Sequence, residues 1–189
     1  MAFASPPPRG SGALSALLND GLVLLPTANL WQLTAHPRSA ALPRLLRVCP
    51  PSPENVPELI FPDLETLRQW CPRIHPKLDT LLTYHKRPLT CLAAAGPQVP
   101  LALLNERAEV AVRLAQDSFV YRLCEDLEGP LVASFACGSD CAQLPTRFGL
   151  VRSDVVRAAT YTVRRRQTEE IGEGRAVRAW VRWDELELD

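Results

Sequence analysis

The most diagnostic segment of the chain reads Asp20-Gly-Leu-Val-Leu-Leu-Pro-Thr-Ala-Asn-Leu-Trp-Gln-Leu33. Its first apolar run, Leu22–Leu25, lies between a glycine and a proline, a pattern that favours a strand buried on both faces. The run stops at Pro26-Thr27, and apolar sequence resumes at Leu30. The segment therefore predicts a buried strand that ends in a turn.

The composition suits one globular domain. The chain has 189 residues, of which 47% are hydrophobic, and a domain of this size buries about two-thirds of its unfolded surface. No segment approaches the ~20 uninterrupted apolar residues of a membrane span, and Met1–Gly12 lacks the basic-then-apolar order of a signal peptide. We expect a cytoplasmic protein without membrane contact, with a flexible Pro-rich tail at residues 1–10 and one domain over residues 11–189.

The apolar periodicity predicts helices that alternate with strands. Helices are expected at Ser11–Asn19, Ser39–Val48, Leu64–Cys71, His75–Tyr84 and Ser118–Leu127. Strands are expected at Leu22–Leu25, Leu59–Phe61, Leu89–Ala94, Glu109–Leu114, Pro130–Ser134, Tyr161–Arg165 and Ala176–Arg182. Such interleaving favours an α/β sheet with helices packed on it. We expect the central strands to be Leu22–Leu25, Leu89–Leu92, Val110–Val112 and Leu131–Val132.

Three short motifs resemble a known family. Pro26-Thr27 is similar to the Pro-Thr-x-Thr turn of the YrdC/YciO family, with Asn29 at the second threonine. Ala111-Val-Arg113 resembles the family's Ala-Val-Arg strand end, and Gly129-Pro-Leu-Val132 resembles the strand that follows it. Core members of the family make threonylcarbamoyl-AMP from threonine, bicarbonate and ATP for tRNA modification. The resemblance implies an α/β fold, a single YrdC-like domain with a twisted mixed sheet and helices packed on it.

The same resemblance implies a ligand cleft at four positions that still match the family: Thr27, Thr90, Arg113 and Ser134. In the family the arginine of this strand end points into the cleft. A buried guanidinium needs an anionic partner. We therefore expect Arg113 to contact either a protein carboxylate or a small anionic ligand. No catalytic residue is assigned.

Three other family signatures are replaced. Cys49, Pro50 and Pro51 align with the Lys-x-Arg signature, whose two cations hold the ATP phosphates. Phe135-Ala-Cys137 stands in place of Ser-x-Asn, and Arg178-Ala-Trp180 in place of Ser-Thr-Ile. Since phosphate chemistry depends on several neutralising charges, the sequence predicts a YrdC-like protein with lost or altered catalysis. We expect no cofactor.

Two alternatives remain open. The first is an active synthase that uses ATP with Mg²⁺, with relocated cations from Arg47, Arg87 or Arg164–Arg166. The second is binding of tRNA or double-stranded RNA through the Arg-rich stretch between Arg147 and Arg182, although a formal net charge of zero disfavours tight phosphate binding. The same arginines could instead lie along an exposed strand edge, where charge prevents pairing with another chain.

The cysteine pattern predicts buried, reduced thiols. The six cysteines are scattered, and several lie inside apolar runs. Cys137 and Cys141 look like half of a zinc site, but no second ligand pair at finger spacing accompanies them. We expect no metal. Cys137 as a nucleophile would need a histidine beside it, and the sequence places none there.

Overall fold

The computed structural model describes residues 11–85 and 87–171. The expected tail at residues 1–10 and the expected strand Ala176–Arg182 lie outside these residues. The helices are α1 (Ser11–Leu18), α2 (Leu42–Val48), α3 (Leu64–Trp70), α4 (Pro76–Tyr84), α5 (Ser118–Asp126) and α6 (Ser153–Ala158). The strands are β1 (Val23–Pro26), β2 (Trp31–Ala35), β3 (Glu58–Phe61), β4 (Cys91–Ala94), β5 (Glu109–Leu114), β6 (Leu131–Phe135) and β7 (Tyr161–Thr162).

All seven strands form one mixed sheet in the order β4-β5-β3-β6-β2-β1-β7. Neighbours are antiparallel except for two parallel pairs, β3 with β5 and β1 with β7. The parallel pairs are built from distant parts of the chain, so their connections run across the sheet and carry the helices that cover it. The expected mixed α/β sheet is confirmed.

Residues alternate along each strand between two apolar clusters. Leu24, Leu33 and Val112 point into the larger cluster, which α2, α3, α4 and α6 cover. Val23 and Ile60 point into a smaller cluster covered by α1 and α5. We call these the four-helix face and the two-helix face of the sheet.

Helix α3 begins where the sequence predicts. The Asp63 side chain accepts a hydrogen bond of 2.7 Å from the backbone amide of Thr66, which satisfies one of the free donors of the first turn. Helix α5 is amphipathic as expected, since Val120 and Leu123 are buried in the two-helix cluster. Its N-cap is Asp117, whose side chain accepts from two backbone amides.

The order of the strands differs from the sequence prediction in one respect. The Leu89–Leu92 segment was expected in the centre, yet β4 is an edge strand that pairs with β5 alone. Apolar composition shows that a strand packs on a core, but it does not show how many neighbours the strand has. The centre of the sheet is instead β6, flanked by β3 and β2. The sequence also left β2 and α6 unassigned.

The cysteine prediction is confirmed for four residues and wrong for two. Cys49, Cys71, Cys91 and Cys124 are free and buried. Burial raises the pKa of Cys49, Cys91 and Cys124 to about 12 and that of Cys71 to about 11, so these thiols are protonated at neutral pH.

Cys137 and Cys141 form a disulfide, with Cα atoms 5.1 Å apart. The prediction of free thiols missed this because it placed no turn after β6. In the structure Gly138 adopts φ of +62° directly after Cys137, a conformation that glycine accepts readily. The chain therefore reverses and brings the two sulfurs together.

Val112 tests the strand assignment, because its side chain is fully buried in the middle of β5. Val112→Asp would bury an unpaired carboxylate, which costs several kcal/mol against a total stability of roughly 5–15 kcal/mol. We expect this variant to be unfolded by circular dichroism and thermal melting. Leu101→Asp is the control, since Leu101 is 84% exposed. A native melting temperature for Val112→Asp would contradict the assignment.

Candidate functional site

A group of polar side chains interrupts the apolar two-helix face. Gln32 lies on β2, Glu58 on β3 and Arg113 on β5, and Thr90 directly precedes β4. All four are at least 95% buried. Their strand neighbours point into the four-helix core, so alternation directs these polar groups to the opposite face. Buried polar groups in an apolar sheet must satisfy one another.

Glu58 is the centre of this group. Its carboxylate accepts hydrogen bonds from Gln32 Nε2 at 2.8 Å and from Thr90 Oγ1 at 2.7 Å. The guanidinium of Arg113 lies 3.4 Å from the same carboxylate and donates to Gln32 Oε1 at 2.7 Å. The result is a neutral network in which one cation and one anion are bridged by an amide. We call these four side chains the Glu58 network.

The turn between β1 and β2 closes over the network. Thr27 donates through both its backbone amide and its Oγ1 to the carbonyl of Leu30, each at 2.8 Å. Asn29 accepts a long hydrogen bond of 3.5 Å from Arg113 Nη1. The turn is thereby fixed beside the buried guanidinium.

A shallow depression of about 200 Å³, including open solvent, lies next to this turn. It is lined by Thr27, Ala28, Ile60, Pro88, Arg113, Leu114, Ala115, Gln116, Asp117 and Val120. The two charged side chains among them are both paired. Arg113 contacts Glu58, and Asp117 accepts two hydrogen bonds from Arg165, at 3.1 and 2.6 Å. The depression therefore presents no uncompensated charge.

The structure brings three of the four expected site residues together. Thr27 and Arg113 line the depression, and Thr90 joins them through Glu58. Ser134 is separated from them, because it faces Leu33 across β2 and β6 and so points to the four-helix side. The structure therefore places Ser134 on the opposite face of the sheet from the other three. Its Oγ, like Trp31 Nε1, has no hydrogen-bond partner.

The sequence analysis missed Glu58 and Gln32. A signal for both was present, since each is a polar residue inside an otherwise apolar strand run, Pro57-Glu-Leu-Ile-Phe61 and Leu30-Trp-Gln-Leu33. A polar side chain at such a position is buried and must have a partner. Arg113 was expected to meet either a protein carboxylate or a small anion, and the protein carboxylate is Glu58.

The replaced signatures supply no new polar groups in the described residues. Cys49 is buried in the four-helix core, and Phe135 packs against Leu30 and Cys137. Arg178–Trp180 lies outside the described residues. Residues 11–85 and 87–171 contain no cluster of three or more potential metal ligands. In the same ranges no helix has the length and apolar character that crossing a membrane requires.

Several arginines of the Arg-rich stretch are engaged locally. Arg165 pairs with Asp117, and Arg166 pairs with Glu169 at 2.8 Å. Arg152 pairs with Asp154, and its hydrogen bonds lower the pKa of that carboxyl group. These carboxylates reduce the positive field that the arginine count by itself suggests.

The sequence profile of the Sua5/YciO/YrdC family, described as "Telomere recombination", matches residues 15–179. Threonylcarbamoyl-AMP synthase of Chromohalobacter salexigens is 30% identical over 130 residues, which are 68% of this chain and 70% of that protein. The same enzyme of Stenotrophomonas maltophilia is 28% identical over 133 residues, covering 66% of this chain and 69% of that protein.

Solved structures show the same fold. E. coli YciO matches with a TM-score of 0.72 at 15% identity, over 84% of this chain and 79% of that chain. P. abyssi Sua5 complexed with L-threonine matches with a TM-score of 0.70 at 22% identity, over 79% of this chain. This chain spans 44% of that Sua5 chain. The similarity extends to the sheet and its helices.

A double-mutant cycle tests the Glu58 network. Glu58→Leu leaves the guanidinium of Arg113 buried without its anion, and breaking one side of a buried pair costs about 3–5 kcal/mol. Glu58→Leu with Arg113→Met removes both charges, so we expect it to be less destabilised than Glu58→Leu alone. Urea unfolding measures Glu58→Leu, Arg113→Met and the double variant. If the losses of the two single variants simply add up to that of the double variant, the charges do not interact.

Proposed function

The chain belongs to the Sua5/YciO/YrdC family, and from this premise we propose that it is a divergent YrdC-like protein that does not synthesise threonylcarbamoyl-AMP. It keeps the depression at Thr27 and Arg113 as a binding site for a small polar ligand. The proposal combines the family's fold with a site whose charges are satisfied from within the protein. A fold persists after its site has changed, because different residues specify packing and chemistry.

One observation carries the proposal: the guanidinium of Arg113 is neutralised by Glu58 at 3.4 Å. A triphosphate needs several positive charges and a metal ion while an adenylate forms. The described depression offers one arginine, and that arginine already has a buried anionic partner. A polyanion placed there would meet a neutral surface with the carboxylates of Glu58 and Asp117 close by.

The size of the depression supports the same conclusion. The figure of about 200 Å³ includes open solvent, so the enclosed space is much smaller than the roughly 300–1,000 Å³ of sites that hold drug-sized ligands. An amino acid suits such a space better than a nucleotide. P. abyssi Sua5 has been solved with L-threonine, so threonine is the first probe. Threonine is a zwitterion without net charge, so it suits this neutral surface better than a polyanion does, and its hydroxyl would contact Thr27.

The active synthase is the second candidate, and the observation in its favour is the 30% identity to the Chromohalobacter salexigens synthase over two-thirds of the chain. It requires replacement cations, for instance Arg47, Arg87 or Arg164, and ATP with Mg²⁺. Binding of tRNA or duplex RNA is a further outcome to be distinguished. The carboxylate partners of Arg152, Arg165 and Arg166 weigh against it.

We expect no threonylcarbamoyl-AMP synthesis. The aligned phosphate-binding cations are absent, and loss of one such contact typically lowers the rate by ~10²–10³. The assay follows ATP consumption that depends on both threonine and bicarbonate, with the Chromohalobacter salexigens synthase as positive control. A second arm asks whether the protein sustains tRNA threonylcarbamoylation in cells that lack their own synthase. Turnover in the first arm, or complementation in the second, would establish the active enzyme instead.

Calorimetric titration tests the ligand. We expect heat on titration with threonine, and none with ATP plus Mg²⁺ or with a short RNA duplex. Ala28→Trp should abolish the threonine signal, because Ala28 lines the depression and an indole would fill it. Leu101→Trp is the control at an exposed position. Threonine binding that survives Ala28→Trp would place the ligand elsewhere, and RNA binding would favour the nucleic-acid alternative.

A further inference from the structure

The loop that follows β6 is closed by the disulfide between Cys137 and Cys141. The two cysteines differ in accessibility, since Cys137 is 1% exposed and Cys141 is partly exposed. Gly138, in its left-handed conformation, reverses the chain between them. Cys141 is therefore the more accessible cysteine of the pair for an incoming thiol.

This loop packs on the turn that carries the candidate site. Cys137 forms a small apolar cluster with Leu30 and Phe135, against which Cys141 and Leu144 also pack. A little further along the loop, the carbonyl of Pro145 accepts a 2.8 Å hydrogen bond from the backbone amide of Trp31. The loop thus packs against the side chain of Leu30 and accepts a hydrogen bond from the backbone of Trp31.

Leu30 in turn holds Thr27. The carbonyl of Leu30 accepts both hydrogen bonds that fix Thr27, and Asn29, one residue before Leu30, accepts from Arg113. A short series of packed groups therefore joins the disulfide to two residues beside the depression. Greater motion of Cys137 would first loosen the packing of Leu30 and then the hydrogen bonds that hold Thr27.

The remaining described cysteines do not compete for exchange. Cys49, Cys71, Cys91 and Cys124 are buried, and their raised pKa values keep them as thiols. Thiol–disulfide exchange requires a thiolate and access to a sulfur. Within the described residues, Cys141 is the sulfur that meets the second condition.

We propose that Cys137 and Cys141 are a reversible thiol–disulfide exchange site for low-molecular-weight thiols and their disulfides, and that its redox state sets the order of the turn carrying Thr27. The effect on ligand binding rests on the proposed function. The exchange itself and its effect on the turn do not.

The exchange has two steps. A small thiolate attacks the Cys141 sulfur, the bond between the two protein sulfurs breaks, and the Cys137 thiolate takes a proton. A second small thiol then attacks the mixed disulfide on Cys141, which releases the small disulfide and leaves the Cys141 thiol. Two electrons pass from two small thiols to the protein, and the reverse sequence re-forms the bond.

The test uses the full chain equilibrated in mixtures of reduced and oxidised glutathione. Alkylation followed by peptide mass mapping reports the state of each cysteine. We expect Cys137 and Cys141 to change together as one couple, while the four buried thiols stay unmodified until denaturation. Hydrogen exchange then compares the two states, and we expect the amides of Thr27 and Trp31 to exchange about fivefold faster or more after reduction, because local order there is lost.

Two variants complete the design. Cys141→Ser cannot form the bond, so its turn should exchange at the fast rate under all conditions. Ser139→Ala changes an exposed residue of the same loop and should behave as wild type. The proposal is overturned if no Cys137–Cys141 disulfide forms at any glutathione ratio, if glutathione cannot reduce it, or if the amides of Thr27 and Trp31 exchange equally in both states. Since no ligand is used, these outcomes are independent of the proposed function.

Discussion

The buried contact between Arg113 and Glu58 is the constraint on which the two-helix face depends. A charged pair at this depth is stable only when its remaining hydrogen-bonding groups are satisfied. Gln32 and Thr90 supply those partners at 2.7–2.8 Å. Because the four side chains come from different strands or strand ends, the pair also fixes register: a slip of one residue in β3 or β5 would turn a charge into the apolar four-helix core.

The same contact lies within a fold that this chain shares with its relatives. The sheet, its order and its helices are those of the Sua5/YciO/YrdC family. Packing residues such as Val112 and Leu33 maintain that architecture, and they are indifferent to what the cleft binds. In this chain Glu58 places a negative charge 3.4 Å from the guanidinium of Arg113. The two charges of this pair therefore balance each other inside the sheet.

The surroundings of the site follow the same principle of internal pairing. Asp117 caps the start of α5 and also binds Arg165, so one carboxylate stabilises a helix N-terminus and holds a basic residue. Arg166 has its own carboxylate in Glu169. On the other side of the turn, the loop closed by Cys137 and Cys141 packs on Leu30. The groups around the depression are thus paired with one another. The Thr27 turn is held in place by these neighbours.

The sequence by itself determined most of the helices and strands, but not β2 and α6. Bounded apolar runs gave β1 and β5, the Asp63 cap and the spacing of Val120 and Leu123 gave helices, and short motifs indicated the family. These features are local, so periodicity and capping reveal them. Tertiary structure alone decided that β4 is an edge, that Ser134 faces away from Arg113, and that Cys137 meets Cys141. It also decided the Glu58 network, whose partners are 26, 32 and 81 residues apart. The physical reason is register: which distant side chains share a face depends on how strands pair, and no local pattern encodes that pairing.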